Sequence, residues 1–209
     1  PTFLQSPFGW TFLFLLPAVS ITAFYNRKLY HALLLHPYEV SRGRRLYTLI
    51  TSAFVHTGWR HLLFNVIFVF GFGYDFYGVI KQETPAKYSF WITLLLILFY
   101  IVLPNACLTW KYRNDVSYTA VGASGLSYAM IGFCQIIYPL EIIEENQGIP
   151  WLYSYHVWIV GLILLSIFLF RKNKTNHVLH LFAFLLGTLF ALLLRPLSLQ
   201  QLLGSVFNV

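Results

Sequence analysis

Residues 120–132 read Ala-Val-Gly-Ala-Ser-Gly-Leu-Ser-Tyr-Ala-Met-Ile-Gly, and the serine at their centre has the surroundings of a nucleophile. Gly122, Ala123 and Gly125 leave the Ser124 hydroxyl unshielded, and the orphan N–H groups of an opening helical turn can face a developing negative charge. A hydroxyl is a weak nucleophile until a base takes its proton, and imidazole does this near neutral pH. The competing reading is packing, because small residues four apart, such as Gly125 and Ala129, also let membrane helices approach closely. Partner residues must decide between the two.

Polar residues inside apolar spans are costly, and here they gather in three places. His56, His61 and Asn65 open one apolar segment, Ser124 and Tyr128 open another, and His177 and His180 open a third. His180 is the expected base. It stands one turn inside its segment, and Ala183 and Gly187 beyond it give that face small residues against which the serine-bearing helix can close. His177 directly follows the polar stretch 171–176 and is expected to meet headgroups. His61 and Asn65 are four apart and share a helix face, so with the Ser124 backbone N–H they can hold an oxyanion. His56 is assigned to bracing a loop. Tyr128, four residues after Ser124, is placed to stack on the His180 ring. No H-E-x-x-H or comparable spacing suggests a metal, Asp75 and Asp115 are expected at loop edges, Cys107 and Cys134 form no ligand or disulfide pattern, and no cofactor is needed.

The elements that must position these groups follow from composition. The 209 residues are 58% hydrophobic and only 10% charged, too apolar for a water-soluble domain of this size. The formal charge of +7 falls in short clusters between apolar runs, as cationic anchors beside lipid headgroups do, and nucleic-acid binding is set aside. Six membrane helices are expected, roughly 8–25, 58–74, 88–103, 119–138, 157–170 and 177–194, each near the length that crosses a ~30 Å hydrocarbon layer. Pro104, Pro139 and Pro196 are expected to mark helix ends. The sequence starts at Pro1 rather than Met, which leaves room for residues upstream, and 8–25 is expected to be a spanning helix and not a removed signal. Residues 26–55 are expected to lie in the interface as short helices, and the acidic stretch 141–150 to be a solvated connection. The expected class is all-α, a single polytopic domain over 1–209. In an up-and-down arrangement the second, fourth and sixth helices start on one face, so the three polar clusters can converge there. Ser124 is expected about five residues inside its helix, ~8 Å below that face.

These residues resemble the motifs of the rhomboid intramembrane serine proteases. His56-Thr-Gly58-Trp-Arg-His61-Leu-Leu-Phe-Asn65 is similar to their H-x-G-x-x-H-x-x-x-N string, preceded by Thr51-Ser-Ala-Phe54-Val. Gly122-Ala-Ser124-Gly125 with Tyr128 is similar to G-x-S-G-x-x-Y, and His180 with Ala183 and Gly187 matches the sixth-helix pattern. The resemblance implies a six-helix rhomboid-like bundle, a Ser124–His180 dyad, an oxyanion site of His61, Asn65 and the Ser124 N–H, and supporting roles for Gly122, Gly125, Tyr128 and His56. It also implies single-span membrane proteins as substrates, cut in or beside their transmembrane segments within the lipid bilayer, and a multi-pass protein of a bacterial inner membrane. Tyr47-Thr48 stands where the family often has Trp-Arg, so the first loop must be anchored differently. Arg27, Lys28, Arg42, Arg44, Arg45, Lys111, Arg113, Arg171, Lys172 and Lys174 fall on loops of the active-site face, against Lys81, Lys87 and Arg195 opposite. The positive-inside rule turns that face to the cytoplasm, whereas bacterial members usually open outward. The alternatives are a catalytically inactive relative that binds or escorts transmembrane helices, and a small channel or transporter. A channel or transporter predicts paired charges or broken helices at mid-membrane, whereas the polar residues here gather near one face. A sorting enzyme acting on C-terminal membrane anchors falls within the protease reading.

Overall fold

The computed structural model describes residues 5–146, 149–170 and 176–207. The chain runs α1 (Pro7–Tyr25), α2 (Arg27–Leu33), α3 (Pro37–Val40), α4 (Thr48–Thr51), a 3-10 turn (Ser52–Phe54), α5 (Trp59–Glu83), α6 (Ala86–Tyr112) and α7 (Ser124–Ile137). A hairpin of β1 (Ile142–Asn146) and β2 (Ile149–Tyr153) follows, then α8 (Ser154–Phe168), α9 (His177–Leu194) and α10 (Leu197–Phe207). The class is all-α apart from that hairpin. Among the described residues four helices, α1, α5, α6 and α9, are long and apolar enough to cross a membrane, while α7 and α8 are shorter apolar helices. The chain divides into two compact units, 1–127 and 128–209, with the boundary inside α7.

In the first unit α1 packs on α5 and α5 on α6, burying Leu16, Val69, Phe76 and Tyr100 completely. The Phe76 and Tyr100 rings lie 5.6 Å apart. Outward residues of the same helices are equally apolar, Leu63, Phe64 and Leu95 among them, the pattern of a chain whose outer solvent is hydrocarbon. The segment between α1 and α5 is built from short helices, and a cation fastens it. Arg45, in the left-handed region at φ 52°, donates to the His31, Ala32 and Leu34 carbonyls that α2 leaves without partners at its C-terminus. Tyr47 and Thr51 donate to the Ala32 and Leu33 carbonyls at 3.1 and 3.0 Å. Anchoring of this loop therefore comes from Arg45, two residues before the Tyr47-Thr48 pair, together with Tyr47 and Thr51.

The second unit is organised on the crossing of α7 and α9. Gly132 lies against the Phe184 backbone and Gly187 against the Ala129 backbone, so close that a methyl group at either would overlap a carbonyl oxygen. Trp158 on α8 donates its indole N–H to Thr188 Oγ1 at 2.8 Å, and the Thr188 hydroxyl is 3.0 Å from the Phe184 carbonyl and 3.3 Å from that of Gly132. Arg195 reaches back to the Ile137 carbonyl at 3.2 Å and Gln201 Oε1 at 2.8 Å, tying α10 to the end of α7.

Several expected boundaries move. The second expected helix runs on past 74 to Glu83, so Asp75 lies inside α5, exposed on its surface, not at a loop edge. The third extends to Tyr112, with Pro104 buried in its interior. Pro104 costs one backbone bond, but α6 continues because its ring side packs at Gly125, where a Cβ would approach Pro104 Cβ to 3.3 Å. The fourth helix begins at Ser124 and not near 119, because Ala120 pairs with Leu35 in both directions, 2.9 and 3.0 Å, and Gly122 takes φ +113°. Ser124 is thus the first residue of α7, and the expected burial five residues inside the helix is corrected. The fifth helix is shifted to Ser154–Phe168. The acidic stretch is no simple connection: Glu144 and Glu145 sit on a strand paired antiparallel with β2, Ile142 opposite Tyr153.

Candidate active site

The serine-bearing turn is held from three directions within the first unit, at Ala120 by Leu35, at Gly122 by Ser52 and at Ala123 by His56. Gly122 N–H donates to the Ser52 carbonyl at 2.8 Å. Ala123 N–H donates to His56 Nε2 at 3.3 Å, which makes that nitrogen an acceptor and puts the ring proton on Nδ1. Nδ1 faces Ser20 Oγ on α1 at 2.7 Å, and Ser20 in turn donates to the Phe54 carbonyl at 2.9 Å. His56 is completely buried and must stay neutral to accept from Ala123. Burial, and the repulsion a charged His61 beside it would add, push it down to about 3 from its ordinary 6.5.

Gly122 is required twice over. At φ +113° an L side chain is strained, and its Cβ would fall 2.6–2.7 Å from Cε1 and Nε2 of the His61 ring. His61 therefore lies over the turn immediately before Ser124. Its Nδ1 is 3.2 Å from Thr57 Oγ1, and a hydroxyl donating there leaves the ring proton on Nε2, which lies beside Gly122. The His56 and His61 rings meet nearly edge to face, 4.9 Å and 78°. Asn65, one turn further along α5, is buried; its amide donates to the His61 carbonyl at 2.9 Å, and its Oδ1 accepts from Ser127 at 3.2 Å. One amide proton remains for another acceptor.

Ser124 is half-buried at the N-terminus of α7, where the first N–H groups have no helical partner. Ser127 N–H takes the Ala123 carbonyl at 3.0 Å, leaving the N–H groups of Ser124 to Leu126 as the helix's orphans. Among the described residues the Ser124 hydroxyl makes no hydrogen bond.

In the second unit His180 is buried one turn into α9, with its ring stacked on Tyr128 at 4.2 Å and 23°. His177 lies 6.1 Å from His180, edge to face, and packs against Phe168 at 5.4 Å. Among the described residues no three of His, Cys, Asp and Glu cluster as metal ligands.

Two positioning groups were not anticipated from sequence. Asn105 on α6 donates to the Leu49 carbonyl at 2.8 Å and Ser52 Oγ at 3.1 Å, fixing the segment whose Ser52 carbonyl holds Gly122. Ser20 holds His56. Both are polar residues buried in spanning helices, so the cost of burying them was the available signal.

The family model described as Rhomboid domain matches residues 43–197, which take in the site residues from Ser52 to His180; Ser20 lies outside the match. The chain belongs to the rhomboid family. Rhomboids are in general serine intramembrane proteases, with inactive members among them, and this one is an integral membrane protein. No curated protein matches the chain.

Proposed function

We propose that this rhomboid is an active intramembrane serine endopeptidase using Ser124 as nucleophile and His180 as base. The observation that carries the reading is the Tyr128–His180 stack. Tyr128 follows Ser124 by one turn on α7, and the His180 imidazole stacks on its ring, which supports pairing this histidine with that serine. The donors near Ser124 supply the complementary half: orphan N–H groups of α7, the His61 ring over Gly122, and the spare Asn65 amide proton.

In the proposed reaction a substrate helix end unwinds and presents its carbonyl carbon to Ser124. Unwinding is needed because helical carbonyls are already bonded within the helix. His180 accepts the hydroxyl proton as the Ser124 oxygen bonds to carbon, and Ser124 N–H, His61 and Asn65 hold the oxyanion. The imidazolium returns its proton to the leaving amine, and water, deprotonated by the same imidazole, releases the acyl group. Among the described residues the serine hydroxyl has no hydrogen-bond partner, and catalytic hydrogen bonds often tighten only with substrate bound.

The substrates proposed are single-span membrane proteins and the location a bacterial inner membrane. The test is incubation of the detergent-solubilised protein with a panel of single-span substrates, cut sites being read by mass spectrometry. Cleavage by wild type, lost in both Ser124→Ala and His180→Ala, is expected. Helix binding without cleavage assigns the chain to the inactive members instead.

A further inference from the structure

We propose that a cavity at the junction of α1, α2 and α5 seats the phosphate of a membrane phospholipid. The cavity measures about 230 Å³, below the roughly 300–1,000 Å³ of small-molecule sites and suited to a headgroup. Phe24, Arg27, Tyr30, His56, Thr57 and Trp59 line it, and no carboxylate does. Among the described residues Arg27 and the Tyr30 hydroxyl have no hydrogen-bond or ion-pair partner, so a cation and an O–H donor face the space uncommitted. Phosphate oxygens are the acceptors this pair fits, guanidinium in particular.

Depth and surroundings favour a lipid over a free anion. The cavity lies where α1 ends and α5 begins, and Tyr25 and Trp59, 84% and 60% exposed, stand there as aromatic residues do at headgroup level. Below Trp59, at steps of four along α5, Leu63 and Ile67 are 59% and 56% exposed. These three residues make an apolar stripe descending from the cavity mouth, a track for an acyl chain whose phosphate sits on Arg27. The Trp59 ring, in edge contact with Phe24 at 5.2 Å, joins head site to tail track. His56 stands behind the inner wall, fully buried, and accepts from Ala123 N–H, so the cavity adjoins a residue that braces the Ser124 turn.

The test is native mass spectrometry of the full chain in dodecyl maltoside titrated with dioleoylphosphatidylglycerol, read without turnover and so independent of the peptidase reading. Wild type is expected to retain one phospholipid, Arg27→Gln to bind it about tenfold more weakly, and Tyr30→Phe a few-fold more weakly. Leu63→Gln is expected to weaken it as well. Lys28→Gln, the neighbouring exposed cation that does not line the cavity, is expected to bind as wild type, and each variant's helical circular dichroism to match wild type. Dioleoylglycerol, which lacks the phosphate, is expected not to bind, and millimolar inorganic phosphate not to compete. Equal losses in Arg27→Gln and Lys28→Gln, or retention of dioleoylglycerol, would overturn the site. Displacement of the lipid by inorganic phosphate alone would overturn its assignment to a lipid.

Discussion

The serine and the histidine are held by different physics. The turn before Ser124 is suspended on hydrogen bonds, from Gly122 to Ser52, from Ala123 to His56 and in the Ala120–Leu35 pair, with Asn105 and Ser20 behind them. His180 is held by contact: a ring stack on Tyr128 and a helix crossing in which Gly132 and Gly187 let backbones touch. Directional bonds suit the turn because an oxyanion site needs N–H groups aimed to within a fraction of an ångström. Packing would suit His180 in its proposed role as base, whose ring must keep its plane while its charge changes. The two halves should therefore fail differently, one to added volume and the other to a lost or protonated acceptor.

The crossing should give the largest effect. Gly187→Val places atoms where the Ala129 carbonyl lies, and neither backbone can yield without parting the helices; a loss of about 3 kcal/mol or more is expected in thermal unfolding in detergent. Gly161→Ala on α8 is the reference, since its Cβ would meet only the Phe184 ring at 3.4 Å, and it should cost far less. Similar costs for both would show that the crossing is not held by close approach.

Gly122→Ala should be milder for stability and severe for turnover. Its positive φ adds about 1–3 kcal/mol of strain, and the His61 ring must move off the turn, so cleavage should fall by about 10²-fold. Gly43→Ala, at φ +76° with open space around it, carries strain without crowding. Equal loss of cleavage in both would remove His61 from the account.

The smallest effect sharpens the polar half. Because the folded-state pKa of His56 lies below its ordinary value, unfolded chains bind the extra proton first; its stabilisation is whole above about 6.5 and drains away as pH falls toward about 3. His56→Gln removes that titration. Its deficit against wild type, about 1–3 kcal/mol at pH 7.5, should narrow between pH 6.5 and 4. A deficit constant across that range would mean that His56 does not brace the turn as a neutral acceptor.

Apolar runs disclosed the spans in sequence, and the sixth, 177–194, is the observed α9 to the residue. Local reading failed where distant partners decide. Nothing near Ala120 announces its pairing with Leu35, so α7 was expected to start five residues early and Ser124 to lie deeper than it does. Pro104 signals a helix end locally, yet α6 passes through it because packing beside Gly125 outweighs one lost bond. The glutamates of β1 read as a loop, since hairpin pairing with β2 leaves no apolar alternation in an exposed acidic strand. In the site, the motif residues were legible by type and spacing, whereas Ser20 and Asn105 lie outside any motif and were visible only as polar groups in apolar helices.

The central claim is that Ser124 is a nucleophile made reactive by His180. Its most direct measurement is covalent labelling of the detergent-solubilised protein with a fluorophosphonate, the modified residue located by mass spectrometry. A single adduct on Ser124 is expected, absent in Ser124→Ala and reduced at least about 10²-fold in folded His180→Ala. Wild type that stays unlabelled, or an adduct undiminished in either variant, would contradict it.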